Sequence, residues 1–109
     1  MTFDEYQQAA IKTARDKTAN NELFHLVLGL AGEAGEITEK FKKLVRDNNS
    51  DESLIDREDI AKELGDVLWY VAALADYLNL TLDDIATTNI AKLASRQKRD
   101  LIKGSGDNR

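Results

Sequence analysis

Apolar residues recur along this chain at helical spacing, and polar clusters interrupt them in only a few places. Phe3, Tyr6, Ala10 and Ala14 share one side, and Thr2 with Glu5 forms a Thr-x-x-Glu capping box in front of them, which predicts a first helix over residues 3–17. A short break at Ala19, Asn20 and Asn21 follows. Leu26, Val27, Leu30, Ala34, Ile37, Phe41, Leu44 and Val45 then keep the helical rhythm and predict a second helix over residues 22–46. The polar run "DNNSDES" is turn-prone and predicts a loop. Asp56 is a good N-cap, with Asp59 three residues later, for a third helix over residues 57–78. Its inward face is Ile60, Leu64, Val67, Leu68, Val71, Leu74, Ala75 and Leu78. Thr81 with Asp84 starts a fourth helix over residues 82–103, and "GSGDNR", residues 104–109, reads as a polar tail. Amphipathic helices with short links and no internal repeat predict one all-α domain, a four-helix bundle.

Composition narrows this picture. The chain has 109 residues, no proline and no cysteine, so it has no disulfide frame and no zinc-thiolate site. At 42% hydrophobic and 32% charged it is an ordinary globular composition. A net charge of −5 argues against binding a nucleic-acid backbone, but not against a small anion carried with a divalent cation. The start "MTFDEYQQ" lacks a signal-peptide core, and no apolar run is long enough to span a membrane, so the expected compartment is the cytoplasm.

The second predicted helix carries glycine at positions 29, 32 and 35. Each interior glycine costs about 0.5–1 kcal/mol relative to alanine. Gly29 lies on the flank that also carries carboxylates, where bare backbone is expected to leave room for a ligand. Gly32 and Gly35 point elsewhere, toward a close helix or subunit contact.

Glu33 and Glu36 are spaced i, i+3, and so are Glu63 and Asp66. Each pair points one way from the flank of its helix's apolar stripe. If the two helices pack antiparallel, the pairs converge at the edge of the core. Four carboxylates cannot share a dry site without a cation, because repulsion and desolvation oppose it. Oxygen-only ligands select a hard ion, Mg²⁺ first and Mn²⁺ second. Such pairs are also common on solvated helix faces, so a non-catalytic helical interaction module remains an alternative. A di-iron bundle would want Glu-x-x-His motifs, and the single histidine, His25, has no such partner. Asn89, Lys92 and Arg96 share a face of the fourth helix and are phosphate-binding types. Lys40 lies on the flank with Glu33 and Glu36, where it either meets substrate or pairs with Glu36. Tyr70 follows Asp66 by one turn, while the adjacent Trp69 points toward core or interface.

These residues resemble the MazG-like nucleotide pyrophosphohydrolases of the all-α NTP pyrophosphatase superfamily. The family signature E-E-x-x-E, a spacer, then E-x-x-D reads here as "GEAGE" and "ELGD", with Gly32 in place of the first Glu. The similarity extends through "LGLAGEAGEITEKFKK", "ELGDVLWYVAALA", "NIAKLASR" and "GSGDNR", nearly the whole chain. The resemblance implies metal ligation by Glu33, Glu36, Glu63 and Asp66, with Glu36 also handling the attacking water. It implies phosphate contacts from Asn89, Lys92 and Arg96 and a nucleoside contact from Tyr70, and with it the bare backbone at Gly29 is expected to leave room for metal and triphosphate. The implied reaction is Mg²⁺-dependent hydrolysis of a (deoxy)nucleoside triphosphate to the monophosphate and pyrophosphate, in nucleotide-pool house-cleaning. A branch acting on dUTP or phosphoribosyl-ATP is the alternative within the superfamily. Relatives build the site partly across a subunit interface, so a homodimer or a dimer-of-dimers tetramer is expected, with the tetramer favoured.

Overall fold

The computed structural model describes residues 1–99 and Gly106. It contains α1 (Phe3–Ile11), α2 (Glu22–Asn48), α3 (Arg57–Tyr77) and α4 (Leu82–Lys98), with a 3-10 turn at Glu52–Leu54. Among the described residues there is no strand, so the all-α class holds. The end of the expected fourth helix, residues 100–103, and the expected polar tail, apart from Gly106, lie outside the described residues.

The helix starts follow the capping signals. Thr2 Oγ1 accepts from Glu5 N–H at 3.1 Å, and Glu5 Oε1 accepts from Thr2 N–H at 3.0 Å. Asp56 caps α3 by accepting from Asp59 N–H, and Thr81 caps α4 by accepting from Asp84 N–H. Each such cap is worth about 1 kcal/mol.

Two boundaries differ from expectation. α1 stops at Ile11 rather than running to residue 17. Beyond it, Thr13 Oγ1 donates to Ala10 O, and Thr18 N–H and Oγ1 both donate to Asp16 Oδ1. Short polar side chains that bond the local backbone compete with helical pairing, and here they win. Arg15 then pairs with the buried Glu22 at the start of α2, which fixes the returning chain. The second difference is inside "DNNSDES". α2 continues to Asn48 and ends where Asn49 and Ser50 take left-handed φ values of 52° and 58°, with Ser50 N–H donating to Leu44 O. Asn tolerates this conformation better than most residues and commonly closes a helix.

α2 and α3 pack along each other, α1 lies on α3, and α4 packs mainly on α1. Contacts across α2 and α3 run in opposite sequence order, Gly29 with Tyr70 at one end and Lys40 with Asp59 at the other, so the pair is antiparallel. The core is thin. Ala10, Ala72, Ala75 and Leu82 form its centre, with Tyr6, Trp69 and Val71 packed around them. Trp69 belongs to this cluster, and its Nε1 donates to Thr13 Oγ1 at 2.8 Å.

One polar side chain ties three helices together. Gln7, 6% exposed, donates from Nε2 to Ala72 O and Leu80 O and accepts at Oε1 from Leu82 N–H. Leu82 N–H, in the first turn of α4 where no earlier helical carbonyl serves it, gains its partner this way, and the bond to Leu80 O ties down the α3–α4 turn.

The apolar face of α3 is less covered than its periodicity suggests. Leu64, Leu68 and Leu78 are exposed, as are Val27, Phe41 and Val45 on α2. Because α4 rests mainly on α1, it does not cap the α2–α3 pair as in a closed bundle. No described helix is long and apolar enough to cross a membrane.

Candidate metal centre

The seam between α2 and α3 gathers the singled-out side chains in sequence order. His25, Gly29, Glu33, Glu36 and Lys40 recur at helical spacing along α2, facing Tyr70, Asp66, Glu63 and Asp59 of α3. At one end the Tyr70 ring lies over Gly29, with the His25 ring 6.3 Å away and Trp69 4.9 Å away, both edge-on. A Cβ at position 29 would overlap this ring, coming 2.8 Å from Tyr70 Cδ1. The space at Gly29 is therefore filled by Tyr70, which corrects the expectation that it stays open for metal and triphosphate. A Cβ at Gly32 or Gly35 would meet nothing within 4 Å beyond its own helix's backbone, so neither makes the close helix contact expected of it within one chain.

In the middle of the seam, Glu33, Glu36 and Glu63 bring one oxygen each to within 4.8 Å of one another. Glu33 Oε2 and Glu63 Oε2 are buried and accept no hydrogen bond. Leaving a charged acceptor buried and unsatisfied is costly. The Glu36 carboxyl is pushed above the ordinary glutamate value, first by the Glu33 charge, then by Glu63 at hydrogen-bonding distance, with Asp66 adding to it. Three clustered carboxylates, two buried acceptors without donors and a suppressed ionisation together fit a hard divalent cation, which would satisfy all three at once. Asp66 is exposed and outside this closest group, though its charge is felt at Glu36 and at Tyr6 of α1. Burial, and then Asp66, raises the Tyr6 phenol above its usual value.

At the far end Lys40 does not pair with Glu36. It forms an ion pair with Asp59 and lies 3.3 Å from Glu63 Oε1, bridging α2 to α3. Asp59, then Glu63, raises the Lys40 ammonium pKa, so the lysine stays charged. Beside this pair is a cavity of about 180 Å³ with mainly apolar walls, including Phe41, Leu44, Ile55 and Ile60.

The α4 residues are placed differently. Asn89 and Lys92 line an open groove with Leu80, Asp84, Ile85 and Thr88. Arg96 is 4% exposed and donates to Gly106 O at 3.4 Å. The chain's own packing sets α4 mainly against α1, away from the pairing of α2 with α3 that builds the carboxylate cluster.

Sequence reasoning missed Asp59 as a site residue and treated it as part of a cap. Its position one turn before Glu63, in line with Glu63 and Asp66, was the available signal. His25 was set aside as a lone histidine, yet it stands beside Tyr70 on the seam.

Residues 21–100 match the family model of the MazG nucleotide pyrophosphohydrolase domain, a span that holds every clustered carboxylate. The chain is 45% identical, over 114 aligned positions covering all of both chains, to the protein called Gene 37 protein of Mycobacterium phage L5. No solved structure matches.

Proposed function

The chain belongs to the MazG nucleotide pyrophosphohydrolase family, and from that premise we propose that it hydrolyses (deoxy)nucleoside triphosphates between the α and β phosphates. Water adds across that anhydride, giving the nucleoside monophosphate and pyrophosphate. The observation that carries this reading is the Glu33–Glu36–Glu63 cluster with its two buried acceptors.

Glu33, Glu36 and Glu63, with Asp66 beside them, would hold Mg²⁺, with Mn²⁺ as a substitute. Bound there, the ion supplies Lewis acidity toward phosphate oxygens and water. Glu36 is the exposed member of the cluster, and its raised proton affinity suits it to orient water and accept its proton. Tyr70, packed over Gly29 beside His25, is the candidate contact for the nucleoside. Lys40 neutralises part of the acidic seam from the opposite end. Asn89, Lys92 and Arg96 are the candidate contacts for the phosphates that leave.

The cluster lies on α2 and α3 while α4 packs mainly on α1, and on this reading the α4 phosphate contacts come from a second copy. Self-association has further support. No large side chain is fully buried among the described residues, while Phe24 (64% exposed), Leu28 (71%), Val45 (63%) and Leu64 (54%) are open. Ala31, Ala34 and Gly35 continue the open face of α2 with small residues, which permit close helix approach. A dimer, or a tetramer of two dimers, would cover this face.

The test is a panel of ribo- and deoxyribonucleoside triphosphates, with dUTP and phosphoribosyl-ATP included, scored separately for pyrophosphate and orthophosphate. Magnesium-dependent pyrophosphate release is the expected result, and the panel names the base and sugar. Orthophosphate alone, or no product from any member, would sink the reading.

A further inference from the structure

The Lys40 ammonium stands where it can work against a cation. It lies 3.3 Å from Glu63 Oε1, and Glu63 is one of the three clustered carboxylates. Three like charges close together attract any mobile cation, and a lysine head on a flexible stem is the nearest one. Moved in among Glu33, Glu36 and Glu63, it would compete with a divalent ion for the same oxygens. What opposes that movement is Asp59, one turn before Glu63 on α3 and outside the cluster. Its Oδ2 makes the closer of the two Lys40 contacts. The Glu63 oxygen that Lys40 approaches is Oε1, while Oε2 is the buried acceptor without a donor.

We propose that Asp59 is a positioning residue: its carboxylate holds the Lys40 ammonium at the outer oxygen of Glu63, which keeps the ammonium out of the cluster and leaves Glu63 Oε2 to a divalent cation. The inference rests on the reading of Glu33, Glu36 and Glu63 as cation ligands. It gives Lys40 a resting place set by Asp59, in addition to any contact with substrate. A side chain that orients a ligand from behind typically changes metal affinity by about 10-fold when altered.

Asp59→Asn suits the test, because the cap at Asp56 uses the backbone N–H of Asp59 and survives the substitution. Mn²⁺ binding is followed through the electron paramagnetic resonance signal of the free ion, without nucleotide, with helix content checked by circular dichroism. Asp59→Asn is expected to weaken Mn²⁺ binding by about 10-fold. The double variant Asp59→Asn with Lys40→Met is expected to bind at least as tightly as wild type, since no ammonium remains to enter the cluster. A merely structural role for Asp59 would leave the double variant as weak as the single one, which overturns the proposal, as does an unchanged affinity in Asp59→Asn. Wild type that binds no Mn²⁺ overturns the cation reading of the cluster itself; wild type that binds, with Asp59→Asn unaffected, overturns this inference alone.

Discussion

The Tyr70 ring occupies the space that a side chain at Gly29 would fill, so the aromatic end of the α2–α3 seam exists only because position 29 has no Cβ. Gly29→Ala would gain about 0.5–1 kcal/mol of helix propensity and lose about 1–3 kcal/mol to overpacking. The net expectation is a destabilisation of about 1 kcal/mol, read from the urea midpoint. Gly32→Ala has open space around it and should instead stabilise by about 0.5–1 kcal/mol. A loss at Gly32 would place that position in a subunit contact.

The carboxylate cluster trades stability for a site. Glu36→Gln removes a charge that Glu33, Glu63 and Asp66 all oppose. The metal-free variant should therefore melt at a higher temperature than metal-free wild type, and added Mg²⁺ should shift it less. Differential scanning fluorimetry with and without Mg²⁺ reads both effects, and pyrophosphate release should be lost in the same variant.

The same repulsion gives a pH dependence with a definite sign. Glu36 binds its proton more tightly folded than unfolded, because its folded pKa is raised. Its contribution is present below the ordinary glutamate value and is lost as pH rises through the raised one. The metal-free protein should therefore lose melting temperature as pH climbs through the window just above the usual carboxylate range. Saturating Mg²⁺ should flatten that slope. A metal-free melting temperature that rises through this window would contradict the assignment.

Gln7 makes a prediction about the scaffold alone. Replacing it with Leu removes the partner of the buried Leu82 N–H, in the first turn of α4, and the tie to Leu80 O at the α3–α4 turn, while Ala72 O keeps its helical partner within α3. Losing the partner of one buried group costs about 1–3 kcal/mol, and a loss of about that size is expected in chemical denaturation. Hydrogen exchange should speed up most at the start of α4.

Self-association is checked by mass in solution. Light scattering on the wild type should give a dimer or tetramer, and Leu28→Glu, on the open face of α2, should lower the mass. A monomeric wild type that is nevertheless active would overturn the reading that a second copy completes the site.

The sequence by itself determined the helices and the candidate ligands. Thr2, Asp56 and Thr81 marked helix starts that the structure keeps, because a cap is a bond between residues three apart. The spacing of Glu33 with Glu36 and of Glu63 with Asp66 was legible for the same reason, since helical periodicity is local. The end of α1 was not, because the hydroxyl and carboxylate bonds at Thr13 and Asp16 compete with helix on nearly equal terms, and the pairing of Arg15 with the buried Glu22 helps decide the outcome. Only the tertiary structure decided what crosses the seam. It set Tyr70 over Gly29, paired Lys40 with Asp59 and Glu63 rather than with Glu36, and brought three carboxylates together while leaving Asp66 outside the closest group. Those relations depend on the register of one helix against another, and a shift of one turn changes every partner while leaving each helix's own pattern intact.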